Sequence, residues 1–106
     1  MPSIGTFKVQ EGGHFTGQIR TLSIRAAATI MPNTSKSSPG QPDYRVVSDG
    51  VEIGAGWSRR GETSGKEYIS LVLAAPEFGP RRLYGNLVRD AGGKDDDYAL
   101  LWNPLD

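Results

Sequence analysis

The chain has no cysteine and a single histidine. The first absence excludes a disulfide framework, thiolate catalysis and cysteine-ligated zinc. The second leaves His14 unable to hold zinc without several carboxylates around it. Long apolar runs are missing too. None approaches the roughly 20 residues a helix needs to cross a bilayer. The opening MPSIGTFK has neither the basic start nor the apolar run of a secretory signal, so a cytoplasmic protein without membrane contact is expected. Helical periodicity is scarce: no stretch is long enough for a strand–helix–strand crossover, which argues against a parallel sheet. A charge of one sign is absent as well, with 12 Lys/Arg against 12 Asp/Glu in 106 residues. That balance disfavours a dedicated polycation.

Glycine is abundant. Its 14 occurrences are close to twice the usual share of about 7%. Glycine weakens helix interiors and serves turns, bulges and close backbone approaches. The apolar pattern agrees with a β-rich reading, because it alternates with period two. In the run Ile4 to Gln10, Phe7 and Val9 share one face while Thr6 and Lys8 share the other. Glu11-Gly12-Gly13 signals a turn. Phe15, Gly17 and Ile19 continue one face, but the phase then slips to Leu22, Ile24, Ala26, Ala28 and Ile30, which calls for a bulge or sharp bend near Arg20–Thr21. A short helix over 24–30 competes with a strand there, since Arg-Ala-Ala-Ala favours helix. Residues 33–42, NTSKSSPGQP, read as a mobile surface loop.

Asp49-Gly50 between two alternating runs is a strong hairpin signal, because both central residues must take positive φ. After it Val51, Ile53, Ala55 and Trp57 fall on one face, so Trp57 reads as core or, beside Arg59 and Arg60, as an aromatic of a binding face. Glu52, Gly54, Gly56 and Ser58 fall on the other, so the two glycines would leave a flat accessible strip. Gly61 to Gly65 is a further turn. Tyr68 to Ala74, Leu83 to Arg89 and Tyr98 to Asn103 are strands, with Tyr98, Leu100 and Trp102 sharing a side. Pro76 and Pro80 bracket a loop holding Phe78, and Asp90 to Asp97 is a polar turn. The expectation is one mainly β domain over 1–106, a small antiparallel sandwich or barrel of about seven strands with at most one short helix.

Catalytic arrangements are sparse. No serine sits in a nucleophile elbow, no phosphate loop is present, and Asp95-Asp96-Asp97 lacks the alternate spacing of a calcium loop. A binding protein without cofactor or metal is expected, rather than an enzyme. The acids cluster late: residues 1–89 carry 11 Lys/Arg against 7 Asp/Glu, leaving a mildly basic body. Arg20 and Arg25 lie on the strand expected to bulge, Arg59 and Arg60 end a strand with Lys66 beyond its turn, and Arg81 and Arg82 open another strand near Tyr84. Arginines beside aromatics suit phosphate pairing and base stacking on a β surface. DNA is therefore the expected partner. A homodimer formed through an open sheet edge and the glycine strip is the alternative.

Several stretches together resemble a known family. Ile4-Gly5-Thr6-Phe7, the run Gly13–Leu22 and Pro42-Asp43-Tyr44-Arg45-Val46 are the first. Val51–Trp57 followed by Gly65–Leu71 is the densest. Leu83–Leu87 and Tyr98–Trp102 complete the series. In this order, over nearly the whole chain, they are similar to the bacterial family called domain of unknown function 736. The resemblance implies a small single domain often encoded on plasmids and integrative elements, and hence an accessory or regulatory factor of a mobile element. It brings no catalytic residues. The chain departs from it at Arg59-Arg60, where a Lys-rich tract is usual, and in the weakly charged loop 33–42.

Overall fold

The computed structural model describes residues 3–61, 65–90, 92–94 and 96–103. Eight strands follow in order: β1 (Ser3–Val9), β2 (Phe15–Arg20), β3 (Arg25–Pro32), β4 (Tyr44–Ser48), β5 (Val51–Arg60), β6 (Glu67–Leu73), β7 (Leu83–Arg89) and β8 (Asp97–Trp102). Each pairs antiparallel with the next, and β8 returns to β1, so the meander closes into a barrel. The mainly β expectation holds, and the barrel rather than the sandwich is realised.

The strand beyond the expected seven comes from the phase slip near Arg20. A bend is there, but it is a complete hairpin turn and not a bulge within one strand. The Thr21 amide donates to the Ile24 carbonyl at 2.8 Å. The Thr21 hydroxyl accepts from the amides of Ser23 and Ile24 at 3.3 and 3.0 Å. Four residues thus reverse the chain, and 25–32 is strand, not helix. Beta-branched and paired positions on both sides override the helix propensity of three alanines, as tertiary context commonly does. Asp49 and Gly50 take φ of 51° and 78°, the left-handed pair that the two-residue hairpin requires. The loop bracketed by Pro76 and Pro80 contains a single 3₁₀ turn, Pro76–Phe78.

The interior is filled by alternate side chains from every strand, among them Phe7, Ile19, Ile30, Val46, Leu71, Leu87 and Leu100, none more than 4% exposed. An eight-stranded barrel has an interior about wide enough for side chains to fill it. One phase reading needs correction. β4 and β5 pair Val46 with Gly54 but Val47 with Glu52, so Ile53 is the extra residue of a bulge. Beyond it the faces exchange. Gly54 and Gly56 point into the core opposite Leu73 and Leu71, while Ala55 and Trp57 point outward opposite Val72 and Ser70. Trp57 is therefore a half-buried outer residue, not core, and its indole N–H donates to the Gly40 carbonyl at 3.3 Å. The glycines are not an accessible strip. A Cβ on Gly54 would lie 2.3 Å from the Val72 carbonyl oxygen, and one on Gly56 2.7 Å from a Leu71 methyl. Glycine here lets β5 approach β6 and makes room for its leucines.

The meander sorts its connections between two ends. The lower end carries the start of β1, the turns at 21–24 and 49–50, the 74–82 connection and the end of β8. The upper end carries the connections after β1, β3, β5 and β7.

Candidate nucleic-acid interface

The seven basic residues picked out by sequence divide between the two ends. Arg20 and Arg25 stand at the lower end, at the base of the β2–β3 turn. Arg81 and Arg82 lie at the same end, in the β6–β7 connection. Arg59, Arg60 and Lys66 lie at the upper end, around the turn joining β5 to β6. That turn's residues 62–64, like Asp95 of the acidic cluster, fall outside the described residues. The structure therefore places four of the seven at the same end, on two connections four strands apart, and separates them from the other three by the length of the barrel.

The two groups differ electrostatically. At the upper end Arg60 pairs with Glu67 at 2.9 Å, and the two residues are also opposite in register. Arg59 stands near Asp43. At the lower end Arg20, Arg25, Arg81 and Arg82 are all exposed, and none makes an ion pair among the described residues. Arg20 and Arg25 are directly opposed in the β2–β3 ladder, on the outward face, because Ile19 and Ala26 beside them face inward. Like charges opposed in this way destabilise a sheet. The turn between them lifts Leu22 fully into solvent, with a relative exposure of 108%. Sequence reading placed Leu22 in the apolar set; its exposure follows only once the bend is known to be a full turn.

The same end holds a concavity of about 570 Å³. Ile24 and Arg25 bound one side, Ala75 and Phe78 the other, and the acids Asp49, Glu52 and Glu77 also line it. Val51, 60% exposed, adds apolar surface to its lining. Residues 74–78, the first part of the connection that bears Arg81 and Arg82, border this hollow together with Arg25.

The upper end is organised by hydrogen bonds within the 33–43 connection. The Asn33 side-chain amide donates to the Pro42 carbonyl at 2.9 Å, and the Arg45 guanidinium donates to the Asn33 side-chain oxygen at 3.2 Å. Asp43 is the hub: it accepts from the Lys36 ammonium and, at 2.9 Å, from the Ser58 amide. The Lys36 contact first, and the Ser58 amide second, hold the Asp43 carboxyl below its ordinary value of 3.8. Lys8 faces Asp96 and Asp97 at 3.9 and 3.7 Å, so two of the three clustered aspartates have a cationic neighbour.

Among the described residues no three acidic or histidine side chains gather as a metal site. No helix is long and apolar enough to cross a membrane. The outward rows of β1 and β2, Thr6, Lys8, Thr16, Gln18 and Arg20, are polar, whereas a lipid-facing barrel presents an apolar outer band. The molecule is thus a small closed antiparallel barrel with charged groups at both of its rims. The family described as protein of unknown function (DUF736) matches residues 3–105, and the chain belongs to that family. No curated protein and no solved structure matches it.

Proposed function

We propose that the protein is a non-enzymatic binder of nucleic acid that grips phosphates with the lower-end arginines. The observation carrying this reading is the opposed pair Arg20 and Arg25, exposed and without an acidic partner among the described residues. A barrel that tolerates two cations face to face gains once an anion lies between them. Arg81 and Arg82, on the same end, extend the contact along a phosphate backbone. Leu22 at the turn tip supplies the apolar wedge that minor-groove binders place between base steps. A role as accessory factor of a mobile element fits such a small, sequence-tolerant binder.

Fluorescence anisotropy with a labelled DNA duplex at two salt concentrations tests the reading. Affinity should fall as salt rises, with a slope of about −0.9 per phosphate neutralised. The double substitution Arg20→Gln/Arg25→Gln should weaken binding and flatten the slope by about one unit per arginine. Arg59→Gln/Arg60→Gln, at the opposite end, should change little. Equal binding by the Arg20→Gln/Arg25→Gln protein would remove the proposal.

A further inference from the structure

The upper mouth of the barrel has a built apolar floor and a charged rim, and neither is used by the reading above. Phe15, Tyr44 and Tyr98 all stand at strand starts on this end and face inward. The Phe15 ring, 5% exposed, lies edge-on to both neighbours, with centroids 6.1 Å from Tyr44 and 4.9 Å from Tyr98. With Ser58, Ile69 and Leu87 these rings line a recess of about 140 Å³. That is close to the ~150 Å³ of an engineered apolar cavity that accepts benzene.

The recess adjoins an outer opening of about 560 Å³, lined among the described residues by Lys66, Glu67, Arg89 and Tyr98, and the two share Glu67 and Tyr98. This volume falls within the roughly 300–1,000 Å³ of small-molecule sites, for which barrel mouths are a preferred place. Arg89 is opposite Tyr98 in the β7–β8 ladder, on the inward row at the rim. Its side chain is exposed and makes no ion pair or hydrogen bond among the described residues. Glu67, the acid beside it, is engaged by Arg60. The hydroxyls of Tyr44 and Tyr98 make no hydrogen bond among the described residues, and neither is buried. They remain available to an entering molecule.

We propose that this mouth binds a small aromatic carboxylate. The ring enters the recess in edge-to-face contact with the three aromatic side chains, an arrangement favoured at centroid distances of about 4.5–7 Å. The carboxylate stays at the rim, where the planar Arg89 guanidinium meets it in a two-point pair. Ring and charge are both required: the floor alone would take any flat apolar group, and the rim alone any anion.

Methyl-resolved NMR titration of the full chain separates these requirements with three probes. Benzoate carries ring and charge, benzyl alcohol the ring alone, and acetate the charge alone. Benzoate should shift the Ile69 and Leu87 methyl signals saturably and bind at least about tenfold more tightly than either other probe. Arg89→Gln should reduce benzoate affinity about tenfold and leave benzyl alcohol unchanged. Unmoved Ile69 and Leu87 signals, or acetate binding as well as benzoate, would overturn the proposal on the unsubstituted protein alone. Equal benzoate affinity in Arg89→Gln would overturn the role of the rim. The site lies at the opposite end from Arg20 and Arg25, so either reading can fail without the other.

Discussion

Arg20 and Arg25 face each other across the first lower turn of the barrel, two cations in direct register with no acidic neighbour bonded to either among the described residues. Their opposition costs the free protein stability. Arg25→Gln should therefore raise the resistance of the unliganded barrel to urea, by about 0.2–1 kcal/mol, while DNA affinity falls. Urea titration and anisotropy on the same sample read the two opposite signs. A variant that loses both, or gains both, would contradict the assignment.

The inward glycines of β5 define a second test. Gly54→Ala places a methyl 2.3 Å from the Val72 carbonyl oxygen, a backbone atom that can move only if β6 moves. Overpacking of this kind costs about 1–3 kcal/mol. The small gain from restricting the unfolded chain, about 0.4–1 kcal/mol, does not offset it. Denaturant unfolding should show the loss. Ala55→Gly, on the outward side of the same strand, removes only a surface methyl and should cost less.

The turn at Asp49-Gly50 holds two successive residues at positive φ, 51° and 78°. Asparagine tolerates the first position as aspartate does, so Asp49→Asn should leave stability within about 0.5 kcal/mol. Gly50→Val puts a β-branched side chain in the left-handed region and should cost about 1–2 kcal/mol or more. Thermal melts of the two variants should differ accordingly.

Asp43 sets a pH dependence. Its carboxyl is held below the ordinary 3.8, mainly by Lys36 and then by the Ser58 amide. The unfolded chain, with the ordinary value, takes up the proton first as pH falls. The contribution is thus fully present above the ordinary carboxylate range and disappears as acid titrates Asp43 in the folded protein. Asp43→Asn should lower stability at pH 6, and the gap from the unsubstituted protein should narrow below pH 3.8. Urea midpoints at pH 6 and at about pH 2.5 measure the narrowing.

Much of the barrel was legible because period-two alternation reports burial directly. β1 follows from the alternation of Phe7 and Val9 with Thr6 and Lys8, and β8 from Tyr98, Leu100 and Trp102 sharing a side after a polar turn. The Asp-Gly hairpin follows from steric need. Two features resisted. A phase slip looks alike in sequence whether a bulge or a turn absorbs it: near Arg20 it was a turn, and at Ile53 a bulge exchanged the faces and carried Trp57 outward. Closure was the other. Nothing in the composition of β1 or β8 distinguishes strands that pair with each other from strands left at an edge. For that reason an open edge and an accessible glycine strip were reasonable grounds for a dimer, whereas in the barrel β1 and β8 occupy each other. A second copy would have to dock on side chains. The arginines were found by type, but their division between two ends depends on counting hairpins, and one hairpin more reverses every later end. The aromatic mouth was hidden for the same reason, since Phe15, Tyr44 and Tyr98 are far apart in sequence and meet only on closure.

The seam between the first and last strands has a consequence for synthesis. Every other ladder joins segments adjacent in the chain and can form as they leave the ribosome, but Thr6 must wait for Ala99 and Phe7 for Tyr98. Until those residues emerge, the nascent meander carries two raw borders of unpaired amides and carbonyls. β8, Asp97–Trp102, is thus the clasp of the molecule, and a stop codon ahead of it would leave a sticky ribbon in place of a sealed cylinder.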